Sequence, residues 1–173
     1  MKKIGKIVGA AILVSGFAFS GWSQDAGTPK NLLTDKWDPF GTEGKTIIQE
    51  DGVIACDNST DKDASGVAQS VILNQKEAKA ISFSAESKAE NVSGNLDGAN
   101  YAVYLDLRHP DGTTTWGVVS GFKTGTHDWE KVTLTFTPEK PIKSVSYCML
   151  LRGGKTGKAW FRNAVLTETP AKK

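Results

Sequence analysis

The chain has 173 residues, which suits one domain rather than two. Charged residues make up 23% and hydrophobic residues 39%, which fits a packed domain and excludes a disordered chain. Lys and Arg total 21 against 19 Asp and Glu. Three of the lysines lie within the first six residues, so the remainder is close to neutral and offers no basic patch that would draw nucleic acid.

Residues 1–23 read as a secretory signal. Lys2, Lys3 and Lys6 precede an apolar run over 7–19, and Ala18, Ser20, Gly21 and Ser23 supply the small residues of a cleavage site. That run is well short of the roughly 20 apolar residues a membrane-spanning helix needs. The expected organisation is a signal peptide over 1–23, a polar linker over 24–30, a β-sandwich module over 31–168 and a polar tail over 169–173. The expected location is outside the cytoplasm, secreted or periplasmic, with no membrane span after signal cleavage.

Nine short strand-like runs follow, at 46–49, 53–56, 66–73, 79–89, 101–108, 114–122, 131–137, 144–151 and 158–166. Several alternate with period two. Ile81, Phe83 and Ala85 face one way, as do Val103, Leu105 and Leu107, and Val132, Leu134 and Phe136. Residues 124–128 read as a turn. No long amphipathic helix is evident. The pattern predicts an all-β, antiparallel sandwich or jelly roll. Cys56 and Cys148 lie in separate strands. An oxidising compartment allows either a disulfide or two free thiols, and spacing does not choose between them.

Pro110-Asp111-Gly112-Thr113 marks a hairpin. A two-residue Asp111-Gly112 turn would place Arg108 opposite Thr115, Asp106 opposite Gly117 and Tyr104 opposite Val119. Tyr104, Asp106 and Arg108 then share one face, and Trp116 falls inside beside Leu107. Ser84, Glu86 and Lys88, and Ser146, Cys148 and Arg152, are expected on that same face from neighbouring strands. An aromatic ring beside acidic and basic groups suits a sugar. The ring covers the apolar C–H face of a pyranose, and the charged groups meet its hydroxyls. Trp37, with Phe40 in an early loop over 36–41, is a second place to meet a ligand, with Asp57 nearby. Trp129 is expected to cover a sandwich edge, and one of Trp160 and Phe161 must face outward.

Catalytic signatures are few. His109 and His127 are the only histidines, and neither lies in a nucleophile motif. Asp61-Lys62-Asp63-Ala64-Ser65-Gly66 opens like a calcium loop, but Ile72 stands where a bidentate Glu would be needed. A solvated turn is the expectation there, with no metal.

Further runs complete a pattern: Ser87-Lys88-Ala89-Glu90-Asn91-Val92-Ser93-Gly94, Tyr101 to Leu107, Asp111-Gly112-Thr113, Gly125-Thr126-His127-Asp128-Trp129, Pro138 to Val145 and Gly157-Lys158-Ala159-Trp160-Phe161. Their order and spacing resemble the carbohydrate-binding-module-like jelly rolls attached to secreted glycan-active proteins, which have a galactose-binding-like fold. The resemblance covers roughly residues 31–168. It implies a polysaccharide or oligosaccharide as partner and a non-catalytic role. Relatives often end with Trp-Phe-Asp-Asp-Val, where an acid helps a structural calcium. Here Arg162 and Asn163 follow Trp160-Phe161, leaving that calcium without its acid, and no cofactor is expected. Relatives also tend to carry an aromatic where Glu86 stands.

The reading is therefore an exported, monomeric, non-catalytic module that binds carbohydrate through Tyr104, Asp106, Arg108, Glu86, Arg152 and Trp37. One alternative is a small polysaccharide lyase or glycoside hydrolase, using Tyr104, Arg108 and His109 or a Glu86–Asp106 carboxylate pair. The other is a structural or adhesive envelope protein.

Overall fold

A computed structural model describes residues 29–94 and 98–169. The leader, most of the linker and residues 170–173 of the tail lie outside the described residues. Ten strands make up the described chain: β1 (Asp38–Gly41), β2 (Thr46–Ile48), β3 (Ile54–Asn58), β4 (Ser65–Ile72), β5 (Ile81–Val92), β6 (Tyr101–Arg108), β7 (Thr114–Gly121), β8 (Gly125–Phe136), β9 (Ser144–Leu151) and β10 (Gly157–Glu168). They form two antiparallel five-stranded sheets. The first runs β1-β4-β9-β6-β7 and the second β2-β3-β10-β5-β8. All nine expected runs are strands. β1 is a strand within the segment 36–41 that the sequence presents as loop, and β8 begins at Gly125, so most of the 124–128 turn is strand.

Alternation builds the core. Val67, Val103, Leu105, Val145, Met149 and Leu151 of the first sheet meet Ile54, Ile81, Phe83, Ala85 and Phe161 of the second, all buried. Burying each such side chain contributes roughly 1.5–3 kcal/mol. Two tyrosines tie the layers together. The Tyr147 hydroxyl donates to the Ser84 carbonyl at 2.8 Å. Ser87 Oγ donates to the Trp160 carbonyl at 2.9 Å and accepts from the Tyr101 hydroxyl at 2.6 Å. Burial pushes both phenols above their ordinary titration range.

The N-terminal segment is held to the sandwich at its edge. Leu32 N donates to Leu166 O at 2.8 Å, and the buried Gln69 side chain accepts from Thr34 N at 2.7 Å while donating to Thr34 O at 3.1 Å. Among the described residues no helix is long and apolar enough to cross a membrane.

The hairpin between β6 and β7 departs from the expected register in an instructive way. His109 N donates to Thr113 O at 2.9 Å, so the loop holds three residues, with Gly112 at φ 83°. Arg108 therefore faces Thr114, not Thr115. A bulge follows at Trp116 and Gly117, where Gly117 adopts φ 71°, and pairing resumes with Leu105 opposite Val118 and Tyr104 opposite Val119. Two one-residue shifts cancel. The outer part of the hairpin is displaced, while Tyr104 keeps its expected partner.

Candidate functional site

The outward face of the first sheet can be read row by row from its register. Tyr104 lies opposite Cys148, which lies opposite Ala68, which lies opposite Asp38. Asp106, Ser146 and Ser70 form the next row, and Arg108, Ser144 and Ile72 the third. Between Leu150 at one end and Ile72 at the other, β4 and β9 thus present Gly66, Ala68, Ser70, Ser144, Ser146 and Cys148, all small. Larger groups rise on either side: Phe40 on β1, and Tyr104, Arg108 and Trp116 on β6 and β7. The result is a shallow trough two strands wide, about 10 Å across.

Phe40 closes one flank by lying on Gly66. A Cβ added to Gly66 would sit 2.7 Å from Phe40 Cζ and 2.5 Å from Met149 O, so the position admits only glycine. Trp116 stands on the other flank. The bulge turns it out of the core, and it is 70% exposed. This corrects the expectation of a core Trp116 beside Leu107. Thr115 takes the inward position instead and contacts His109.

At the centre of the β6 row, three groups converge. The Arg152 guanidinium carbon lies 5.0 Å from the centroid of the Tyr104 ring. Asp106 Oδ1 accepts from Gly117 N at 3.1 Å. Burial raises the Tyr104 phenol above its ordinary value, the Asp106 carboxylate raises it further, and Arg152 opposes both. Tyr104 Oη is accordingly a neutral hydroxyl able to donate and accept. Asp106 can only accept and Arg152 can only donate. Tyr104, Asp106, Arg108 and Arg152 are therefore brought to one face, with Ser146 and Cys148 beside them.

No protein-family profile matches the chain. A search of curated proteins finds the tRNA3(Ser)-specific nuclease WapA of Bacillus spizizenii, 25% identical over 92% of this chain. It also finds the tRNA nuclease WapA of Bacillus subtilis strain 168, 26% identical over 78%. The chain spans less than a tenth of the length of either, 7% and 6%. Among solved structures, the CBM22-1 xylan-binding domain of Paenibacillus barcinonensis Xyn10C superposes with TM-score 0.53 at 14% identity, covering 85% of this chain and 99% of that one. A family 4 carbohydrate-binding module gives 0.52 at 15% identity, covering 78% and 88%. The enzymatically active domain of bacteriophage CBA120 tailspike protein 4 gives 0.57 at 9% identity, covering 80% of this chain and 21% of that one.

The fold is the carbohydrate-binding-module jelly roll.

On that jelly roll, two expected site residues lie away from the trough. Glu86 projects from the outer face of the second sheet. Its partner across the ladder is Arg162, whose Nε donates to Glu86 Oε2 at 2.8 Å. Ser84 and Lys88 belong to the same strand, so the expectation that β5 shares the Tyr104 face is overturned: β5 pairs with β10 and β8, not with β6. Trp37 is half-buried, packs 5.9 Å from Tyr147 and lines a cavity of about 410 Å³ with Asp35, Asp51, Arg162 and Asn163. Asp57 does not line it, and pairs with Lys158 at 3.3 Å on the second sheet.

Trp129 lies on β8, the edge strand of the second sheet, with the Arg162 guanidinium over its ring at 3.8 Å. Trp160 faces outward and Phe161 is buried. Where relatives place a calcium-binding acid, this chain puts a guanidinium already committed to Glu86 and Trp129, and the donor set does not fit a calcium there. Asp63 caps its own turn, accepting from Thr60 N at 2.8 Å and pairing with Lys45 at 3.4 Å. Cys56 faces the core and Cys148 faces the trough, both as free thiols.

Sequence reasoning missed Trp116, Phe40 and Ile72 as trough residues. A glycine directly after Trp116 inside a strand pattern was the available sign of a bulge.

Proposed function

We propose that this chain is an exported, non-catalytic carbohydrate-binding module whose ligand lies in the trough of the first sheet. The observation that carries the reading is the arrangement at Tyr104. An aromatic ring, an acceptor-only carboxylate and a donor-only guanidinium meet at one point beside a floor of small side chains. Trp116 adds a large exposed ring on the same flank. Sugar rings need this combination, because each has an apolar C–H face and a rim of hydroxyls.

The non-catalytic part rests on the acids and the histidine. Glu86 and Asp106 project from opposite sheets, so they cannot flank one glycosidic bond as a carboxylate pair. His109 is 5% exposed, with Nδ1 against Pro141 O at 2.8 Å and Nε2 against Thr115 Oγ1 at 2.9 Å. Neither nitrogen reaches the trough to serve as a base.

The test is affinity electrophoresis of the chain through gels containing a panel of polysaccharides, together with a reducing-sugar assay. Retardation without turnover is the expected result. Retardation that survives Tyr104→Ala and Trp116→Ala would move the site to the cavity beside Trp37.

A further inference from the structure

The chain has three arginines, and their surroundings differ. Arg162, on the second sheet, is neutralised by Glu86 at 2.8 Å. Arg108 and Arg152 both serve the trough face, and among the described residues neither has a carboxylate within ion-pairing distance. Some surface lysines elsewhere find acids, such as Lys45 with Asp63, Lys140 with Asp111 and Lys158 with Asp57, while others such as Lys88 and Lys143 do not. Among the described residues, the two guanidinium groups without an ion pair both lie on the candidate site. Asp106 is the acid beside them, and one of its oxygens is already held by Gly117 N.

The position of Arg152 adds a second constraint. Its guanidinium lies over the Tyr104 ring at 5.0 Å, on a backbone fixed by Arg152 N donating to Asn100 O at 2.8 Å. A pyranose that stacks on Tyr104 must displace the guanidinium. That exchange surrenders a cation–π contact. A neutral sugar offers the displaced group only hydroxyl acceptors. An oxyanion on the sugar offers a charge-assisted, bidentate partner that matches its planar fork.

We propose that the trough selects an anionic glycan, one carrying carboxylate or sulfate, with Arg152 moving from Tyr104 to the oxyanion and Arg108 meeting a second charge further along the β6 row. This rests on the reading of the trough as a carbohydrate site. Asp106 accepts the hydroxyls of the same ligand, and the trough floor of serines fills the remaining contacts.

The experiment is affinity electrophoresis in gels containing polygalacturonate, dextran sulfate, or neutral galactan, xylan and glucan. Wild type is compared with Tyr104→Ala, Arg152→Ala, Arg152→Lys and Arg108→Ala, each checked for an unchanged Tm. The expected result is retention by at least one of the two anionic polymers, weakening as salt rises. Arg152→Ala should lower it roughly tenfold, Arg152→Lys should restore part, and Arg108→Ala should act in the same direction. The polymer retained identifies carboxylate or sulfate as the oxyanion. Retention confined to neutral polymers and lost in Tyr104→Ala would overturn this inference and leave the carbohydrate reading standing. Anionic retention indifferent to both arginines would also overturn it. Retention by no polymer would overturn both readings.

Discussion

Asp106 holds the backbone N–H of Gly117 across the β6–β7 hairpin, at 3.1 Å. That contact fixes the bulge that turns Trp116 outward. Replacing Asp106 with Ala should release it at a cost of about 1 kcal/mol. Trp116 should then become more mobile, which its fluorescence anisotropy in a variant lacking the other tryptophans would register. Unchanged anisotropy and Tm would show that Gly117 alone maintains the bulge.

Asn58 is the polar hinge beneath the loops at one end of the sandwich. It is fully buried, donates to Leu151 O at 2.9 Å and Lys155 O at 3.1 Å, and accepts from Ser65 Oγ at 2.7 Å. Asn58→Ala removes the side-chain donor to the Asp63, Leu151 and Lys155 carbonyls and the acceptor of Ser65 Oγ, and should cost about 2–4 kcal/mol. Asn58→Asp should cost more, because a carboxylate would face carbonyl oxygens. Urea denaturation gives both numbers. A loss below about 1 kcal/mol for Asn58→Ala would contradict this account of the loop.

Three carboxylates are held below the ordinary range. Glu86 is lowered first by its hydrogen bond from Arg162, Asp63 by the Thr60 N–H and Asp111 by Lys140. A depressed folded value means that the stabilisation is complete above the ordinary unfolded values, about 4.3 for Glu and 3.9 for Asp. It is lost as pH falls through the lower folded ones. Tm should therefore be flat from neutral pH to about 5 and decline below about 4. Glu86→Gln should start lower at pH 7 and decline less steeply. A decline parallel to wild type would exclude the Glu86–Arg162 pair as a source of the acid sensitivity.

The thiols offer a separate check on the faces. Burial pushes Cys56 up to about 11, and it faces the core. Burial also raises Cys148, but less completely, and it opens toward the trough. Maleimide at mildly alkaline pH should label Cys148 slowly and leave Cys56 untouched until the chain is unfolded. Labelling at Cys148 should also block polysaccharide retention. Prompt labelling of Cys56 in the native protein would contradict its place in the core.

The sandwich was legible because alternation is a local property. Ile81-Phe83-Ala85 and Val103-Leu105-Leu107 declare their inward face without knowledge of partners, and the structure buries all six. The trough was only half legible. Tyr104, Asp106 and Arg108 lie on one strand, and their shared face follows from period two alone. Placing Glu86 beside them required knowing which strand neighbours β6, and strand order is set by non-local pairing that spacing does not encode. Trp116 was misplaced because a three-residue loop and a bulge each shift register by one, and a one-residue shift reverses the face. β1 was missed because Pro39 and a four-residue length hide an edge strand.

Binding of sugar in the trough around Tyr104 remains the property on which the other expectations depend. Its most direct test is isothermal titration of the chain with the polysaccharide that best retards it, against Tyr104→Ala and Trp116→Ala of unchanged Tm. Wild type should bind saturably, with affinity reduced at least tenfold, about 1.4 kcal/mol or more, in each variant. Wild-type affinity in both variants would contradict it.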